Sequence, residues 1–537
     1  MSEKFSPSKS ITGAALLLGM ATLINQIVAL FRIRTFAYFF AASPTMDAYT
    51  AAFKIPDLIY SLLIAGALTA GFIPTFTRLF FESEDKSKAW RLASNVITIV
   101  AVALFLLGGL GMIFTPFLVK IIAPGFNDSR LSLVIQFTRI MLITPFLLGI
   151  SMTLGGILQS LRQFLLYSIA PILYNLGIIF GAFFFVPWFG VTGLAWGVVF
   201  GALLHLIIQT IGAYRNNYRW RWHFNLKDTE TRLIGKLMVP RTIGLAVNQL
   251  NTVIIIILAS FLKVGSVSIF YYANILQDAP TGIIGISFAI AVFPVLSRLS
   301  ASEKMEEFGA RVNSTARQIL FLIIPISILM LILRIPIVRL VLGSGKFDWP
   351  TTVSTANTLA FFAMGLFAQS LLPLFARAFY SLNNTIIPFV ISVISELLCI
   401  IFSLLLMRPM GVPGLALADA GAAVFNAILL IILLRKKIRS AVDEKILFLL
   451  FKLGTASVVM GIVVQFSKDP LAKIFDQQYF LGVLGLGLSA GILGVLVYGI
   501  ICRFLKVEEM LHLQASLQTR WLKLWNIGEG VDQAEKL

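Results

Sequence analysis

The sequence is poor in cysteine, histidine and acid. Its two cysteines, Cys399 and Cys502, both lie in apolar runs, which implies neither a disulfide framework nor a thiolate metal site. With three histidines in 537 residues and no His/Cys cluster, no metal centre is expected. "GSGK" at 343–346 is not a phosphate loop, because Leu340 stands where the first glycine is needed and Phe347 where Ser or Thr should follow. No soluble stretch is long enough to house a nucleotide. The reading is therefore not an enzyme and no cofactor. Any transport must draw on a gradient, the membrane potential or downstream consumption. Charged residues are 13% of the chain, about half the share of a soluble domain.

Apolar residues are abundant, at 58% with a mean hydropathy of +0.91. Runs of ~20 residues recur from end to end, each able to cross a ~30 Å hydrocarbon core. A membrane barrel would show short alternating segments instead. The pattern predicts an all-α polytopic membrane protein of about fourteen spans, beginning near 11, 46, 92, 131, 164, 190, 233, 267, 314, 352, 385, 411, 446 and 479. The first apolar run is too long for a signal peptide and is expected to be a retained helix.

The net charge of +18 raises the question of nucleic acid, but the basic residues sit in alternate loops, so no nucleic-acid partner is expected. One side gets Lys4 and Lys9; Arg78, Lys86, Lys88 and Arg91; Arg215, Arg219, Arg221 and Lys227; Arg298, Lys304 and Arg311; and Arg435, Lys436, Lys437 and Arg439. The positive-inside rule puts both termini on the cytoplasmic side. The stretch 505–537 is expected to be a cytoplasmic tail.

Compared with itself, the chain repeats. "FIPTFTRL" at 72–79 matches "VFPVLSRL" at 292–299, and "GVTGLAWG" at 190–197 matches "GVPGLALA" at 411–418, shifts of 220 and 221. A shorter "SL" match at 160–161 and 381–382 is collinear with them. Each copy holds an even number of spans, so the two six-helix lobes, 1–220 and 221–440, should be related by a pseudo-two-fold along the membrane normal. Two additional spans at 441–504 fall outside the repeat.

The segment "DAYTAAFKIPDLIYSLLIAGAL" beginning at 47 is apolar enough for lipid yet holds Asp47, Lys54 and Asp57, with Pro56 between the last two. A charge at mid-membrane costs ~2.5–3.5 kcal/mol, so partners or water must offset it. Residues 47, 50, 54, 57 and 61 are spaced 3, 4, 3, 4 and form one polar stripe. The first span offers Asn25, Gln26 and Arg32, with Arg32 at a depth suited to pair with Asp57 and leave Lys54 as spare charge. The eighth span repeats the arrangement with Asn274, Gln277, Asp278 and Thr281, followed in the seventh by Arg241, Asn248 and Asn251. Two readings stand. The stripes line a hydrated cavity, with Pro56 and Pro280 marking helices broken where backbone meets water, or they pair between helices and hold the bundle. Glu396 and Asp419, on consecutive spans, would hold a cation or share a proton, or would simply bond a neighbour. His205, alone on an apolar face, reads as structural.

"DAYTAAFKIPD", "GALTAGFIPTF", "APGF" at 123–126, "ILQSLRQF…APILYN", "GSVSIFYYA", "GKF" at 345–347 and "ARAFYSLNNTIIP" together resemble the lipid II flippase family of the MurJ/MviN type. The resemblance runs in order over nearly the whole chain. It implies the fold of the multidrug/oligosaccharidyl-lipid/polysaccharide exporters. The implied substrate is undecaprenyl-pyrophosphate carrying the peptidoglycan precursor, with alternating access and a lipid-tail groove at the two extra spans. It places Arg32 and Asp47 on basic and acidic family positions, and Lys54 on a lysine of some members. It also implies a coupling cation, sodium or proton, near Asp419, with Ile255 where a seventh-span acid is expected. The chain departs from the pattern at Gln26, Tyr60 and Ile275, where the family commonly has Arg, and at Ala65, where it has Glu. Export of another polyprenyl-linked glycan or amphipathic compound, or a non-transporting scaffold for cell-wall synthesis proteins, are the competing readings.

Overall fold

A computed structural model describes residues 11–62, 71–438, 445–511 and 514, with side chains at 11–16, 239–248, 250 and 445–447 outside that description. Among the described residues all regular structure is helix, without a strand. In order the helices are α1 (Ile11–Phe40), α2 (Pro44–Ala52), α3 (Lys54–Tyr60), α4 (Ile73–Phe81), α5 (Ser87–Ile122), α6 (Asp128–Met141), α7 (Ile143–Ser160), α8 (Phe164–Phe180), α9 (Val186–Phe189), α10 (Gly193–Arg215), α11 (Thr229–Ser260), α12 (Ser266–Pro280), α13 (Ser287–Ala301), α14 (Met305–Ile332), α15 (Arg334–Leu342), α16 (Trp349–Ser381), α17 (Ile386–Met410), α18 (Val412–Lys437), α19 (Lys445–Ile474) and α20 (Phe480–Phe504). Helix is what lipid demands, since each backbone N–H and C=O then finds its partner inside its own segment.

Eleven stretches among the described residues are long and apolar enough to cross a membrane. The chain is thus a multi-pass all-α membrane protein, while the expected count of fourteen is not reached by length and composition. Part of the difference has a visible cause. The stretch Phe164–Arg215 is one continuous 52-residue run by that measure, yet it folds back on itself as a hairpin. A Cβ on Gly177 would lie 2.3 Å from the Cα of Gly201, one on Gly181 2.3 Å from the Cα of Gly197, and one on Gly193 2.3 Å from the carbonyl carbon of Phe185. These three contacts run antiparallel along α8, a π-helical stretch Gly181–Phe185, and α10. Glycine every fourth residue lets two backbones touch where lipid offers no hydrophobic drive to associate.

The repeat reappears in the turns. α7 and α16 each end on a left-handed residue, Arg162 (φ 59°) and Asn383 (φ 54°). Each is followed by the same closing bond, Gln163 N to Leu158 O at 2.8 Å and Asn384 N to Phe379 O at 3.0 Å. Gly190 (φ 62°) and Gly411 (φ 66°) open α10's approach and α18 in the same way. Both pairs lie 221 apart. The backbone is π-helical at 61–62 and again from Thr281, 220 residues on. Matching turn geometry at the sequence offset is the mark of one unit copied.

By compactness the chain divides differently, into Met1–Tyr271 with Val341–Thr351, and Tyr272–Leu340 with Thr352–Leu537. In the first unit, Phe72, Phe76, Ile157, Tyr218 and Ile234 form a buried core with Trp90 and Phe80 packed against it. The stretch 341–351 is held to the end of α1 by Lys346 N donating to Tyr38 O at 2.9 Å. In the second unit, α16 meets α18 where Gly365 faces Ala420. Tyr498 of α20 donates to Phe321 O of α14 at 2.8 Å, tying the last of these helices to the unit. Residues 515–537, most of the expected tail, lie outside the described residues.

Candidate functional site

The polar stripe of the first unit begins in a broken helix. Ser43 caps α2, accepting from Met46 N, and the helix stops at Ala52. Pro56 is the cause. It has no N–H for the carbonyl four residues back, Ala52, and its ring crowds that carbonyl. Thr138 Oγ1 reaches the same Ala52 carbonyl at 3.5 Å from α6. Lys54 and Asp57 therefore sit in the first turn of a fresh half-helix, α3. Both are half-buried, as is Arg32 on α1.

Arg32 lies within electrostatic reach of Asp57 and of three phenols, Tyr49, Tyr174 and Tyr271. Asp57 in turn feels Lys54 and Arg32, and Tyr60 joins the group beside Tyr174. Among the described residues no ion pair links Arg32, Lys54 and Asp57. The expected direct Arg32–Asp57 pair is thus not formed; two cations share the field of one carboxylate. Arg32 Nε is buried with no hydrogen-bond partner. A buried guanidinium nitrogen left unbonded is costly, and the group as a whole suits an anion with several acceptor oxygens. The phenols are what the charge pattern missed. Tyr174 and Tyr271 lie on α8 and α12, and no spacing rule links either to the stripe.

Asp47 has a different place. It is fully buried, and its carboxylate accepts from Gly265 N at 2.6 Å, Ser268 N at 2.9 Å and Ser268 Oγ at 2.6 Å. That caps the N-terminus of α12, where the helix leaves N–H groups unsatisfied and carries partial positive charge. Expected among substrate residues, Asp47 has its oxygens engaged inside the protein. Gly265 permits this with φ 89°, and a Cβ there would strike Ala42 O at 2.5 Å. Gln26 is exposed, while its neighbour Asn25 accepts from Asn175 Nδ2 at 3.0 Å. The Arg241 and Asn248 side chains and all of Ala65 lie outside the described residues.

In the second unit the expected stripe of α12 splits. Asn274 donates to Asp278 at 2.7 Å, with Asp278 exposed. Gln277 is buried and donates to Gln369 Oε1, whose amide donates to Asp419 Oδ2 at 2.7 Å. Gln277 therefore does not share the face of Asn274 and Asp278. Asp419 and Glu396 each lie within electrostatic reach of Cys399, and among the described residues no group of three or more His, Cys, Asp or Glu is placed to hold a metal ion. His205 is buried against Ser151, with Oγ and Nδ1 2.6 Å apart, the structural role expected.

The family model described as "Lipid II flippase MurJ" matches residues 36–485, most of the chain. The chain belongs to the MurJ family. A "Probable lipid II flippase MurJ" of Bdellovibrio bacteriovorus is 31% identical over 433 residues, 80% of this chain and 83% of the relative. One of Rickettsia prowazekii is 28% identical, covering 90% of this chain and 96% of its own length. Among solved structures, "Lipid II flippase MurJ, inward closed conformation" superposes with a TM-score of 0.75 at 23% identity, covering 91% of this chain and 99% of that one. An inward-facing multidrug resistance MATE transporter of the MOP superfamily gives 0.66 at 15%, covering 80% and 98%. The fold is therefore the one the resemblance implied. The MurJ match takes in Asp47, Lys54 and Asp57 but starts four residues after Arg32. Of the positions where this chain departs from the MurJ pattern, Tyr60 is the informative one, since it joins the phenols around Arg32 and Asp57.

Proposed function

We propose that this chain is a lipid II flippase, moving the undecaprenyl-pyrophosphate-linked peptidoglycan precursor from the cytoplasmic to the outer face of the bacterial inner membrane by alternating access. The observation that carries the reading is the Arg32–Lys54–Asp57 group, two cations to one acid beside a broken helix, in a chain of this family. A pyrophosphate is too polar to cross hydrocarbon alone. Fixed cations held at membrane depth compensate its charge, and the surrounding phenols offer hydrogen bonds to its oxygens. A flippase forms and breaks no covalent bond in its lipid, so no catalytic residue is needed. The basic loops favour a cytoplasmic side for both termini. Glu396 and Asp419, flanking Cys399, provide a place where sodium or a proton would couple to the cycle.

The test is rescue of a cell depleted of its own flippase. Arg32→Ala and Lys54→Ala are each expected to abolish rescue at wild-type protein levels in the membrane. Full rescue by both would remove the basis of the proposal. Binding of the purified chain to lipid II but not to other polyprenyl-linked glycans separates this reading from export of a different glycan. A scaffold for cell-wall enzymes would keep its role in both alanine variants.

A further inference from the structure

Between α10 and α11 the chain reads "YRWRWHFNLK" from 218 to 227, aromatic or apolar at every second position and basic or polar between. Residues 218–225 form no helix and no turn. Trp220 and Trp222 meet edge to face, their rings 6.0 Å apart at 86°, a contact between positions i and i+2 that one face of an extended stretch makes. Trp220, Trp222, Phe224 and Leu226 are 47%, 68%, 48% and 57% exposed. They belong to a loop, so the lipid that accounts for exposed side chains on the spans does not by itself account for them.

The exposure is built rather than loose. Tyr218 is buried, its hydroxyl 3.2 Å from Ser94 Oγ and its ring 5.6 Å from that of Trp90. At the other end the Asn95 side chain grips the backbone of Asn225 twice, donating to its carbonyl at 2.8 Å and accepting from its N–H at 2.7 Å. Asn95 also donates to Thr231 Oγ1 on α11. Both clamps stand on the early turns of α5, just ahead of its long apolar run from Val96. Arg219 is held over the Tyr214 ring at 4.7 Å and donates to Tyr214 O. The segment is therefore fixed at the level where α5 enters, and α10 leaves, the apolar layer.

We propose that residues 219–227 are an interfacial anchor that lies on the membrane surface and binds anionic phospholipid headgroups. Trp220, Trp222, Phe224 and Leu226 enter the headgroup–acyl boundary, where amphipathic rings are favoured. Arg221 and Lys227, with Arg219 beside them, meet the phosphates. Charge complementarity selects the occupant. The run carries three Lys/Arg and no acid, which fits a negatively charged lipid surface.

The experiment uses the full-length chain with a nitroxide on Trp222→Cys and, as a reference in the polar loop, on Glu84→Cys. The native Cys399 and Cys502 are buried. The proteins are placed in phosphatidylcholine vesicles with and without phosphatidylglycerol. The label at 222 is expected to relax with oxygen and to be shielded from a water-soluble nickel chelate, while that at 84 is not. Arg221→Gln with Lys227→Gln is expected to lower phosphatidylglycerol co-purified with the chain about fivefold or more, the scale of one basic residue at an anionic surface. The proposal is overturned if position 222 is as open to nickel as position 84 in phosphatidylglycerol vesicles, or if the glutamine variants retain the lipid. It is also overturned if shielding occurs in native membranes and not in pure lipid, which would mark a protein partner instead.

Discussion

Removing the Asp47 carboxylate should loosen the start of α12, by an amount the hydrogen bonds set. Three donors converge on it, two of them backbone N–H groups at a helix N-terminus. A hydrogen bond to a charged acceptor contributes ~1.5–3 kcal/mol, and orphaning one partner of a buried charged contact costs ~3–5 kcal/mol. These figures do not add, because removing the carboxylate also relieves its own desolvation. A loss of about 3 kcal/mol is the expectation for Asp47→Ala, with Asp47→Asn in between because one oxygen can still accept. The measurement is thermal stability of the purified full-length chain at one fixed heating rate, since large membrane proteins unfold irreversibly. The decisive version is a double-mutant cycle with Ser268→Ala. Ser268→Ala keeps the backbone N–H that bonds Asp47 and removes only the Oγ bond, so it should cost ~1.5–3 kcal/mol in the intact chain and almost nothing once Asp47 is gone. Additive losses, or an Asp47→Ala chain as stable as wild type yet dead in rescue, would refute the capping argument and return Asp47 to the substrate or the transport cycle.

Gly177→Ala and Gly201→Ala should each destabilise the α8–α10 hairpin by ~1–3 kcal/mol, because the added methyl meets backbone, whereas Gly454→Ala in α19 has open space and should be neutral or stabilising by up to ~1 kcal/mol; the same melting assay compares them. Burial pushes the Tyr218 hydroxyl up to about 12. A phenol held protonated by the fold contributes fully below its unfolded pKa of about 10 and loses that contribution as pH rises toward 12. Melting between those pH values should therefore fall less steeply in Tyr218→Phe than in wild type, and equal slopes would count against the burial of the Tyr218 hydroxyl.

The fold was legible because lipid simplifies the code. Apolar runs of membrane length can only be helices or closed barrels, and the run lengths exclude barrels. Internal matches at 220–221 pointed to a duplication, and the turns at Arg162/Asn383 and Gly190/Gly411 share left-handed backbone at the same offset. Gly190 and Gly411 reverse the chain without a long polar loop, and the expected span starts near 190 and 411 fall on them. In the site, the 3-4 spacing brought Lys54 and Asp57 to one region. The same spacing put Gln277 with Asn274 and Asp278, and there it misled. Residues one position apart diverge by about 100° on a helix, and the tertiary partner Gln369 decides which way each looks. Tyr174 and Tyr271 were invisible for a related reason. Tyrosine is ordinary in a membrane helix, and only the fold reveals that Arg32 lies among them.

Asp47 and Arg32 looked equivalent in the sequence, two ionisable groups on facing polar stripes, each costly to place in lipid. Their surroundings separate them. Structural glue is complete at the charge it holds, because a buried charge kept for stability needs its hydrogen bonds met within the protein, and the Asp47 carboxylate accepts three of them across both of its oxygens. The Arg32 group is incomplete. Its cations outnumber its acid, no ion pair closes it among the described residues, and a guanidinium nitrogen is buried without a bond. A folded chain tolerates that deficit when something that comes and goes makes it up, and the missing element here is negative charge with acceptor oxygens. A pyrophosphate supplies both, and an apolar drug supplies neither. That asymmetry, more than the bare presence of charge in the membrane, favours an anionic lipid-linked cargo over a hydrophobic one.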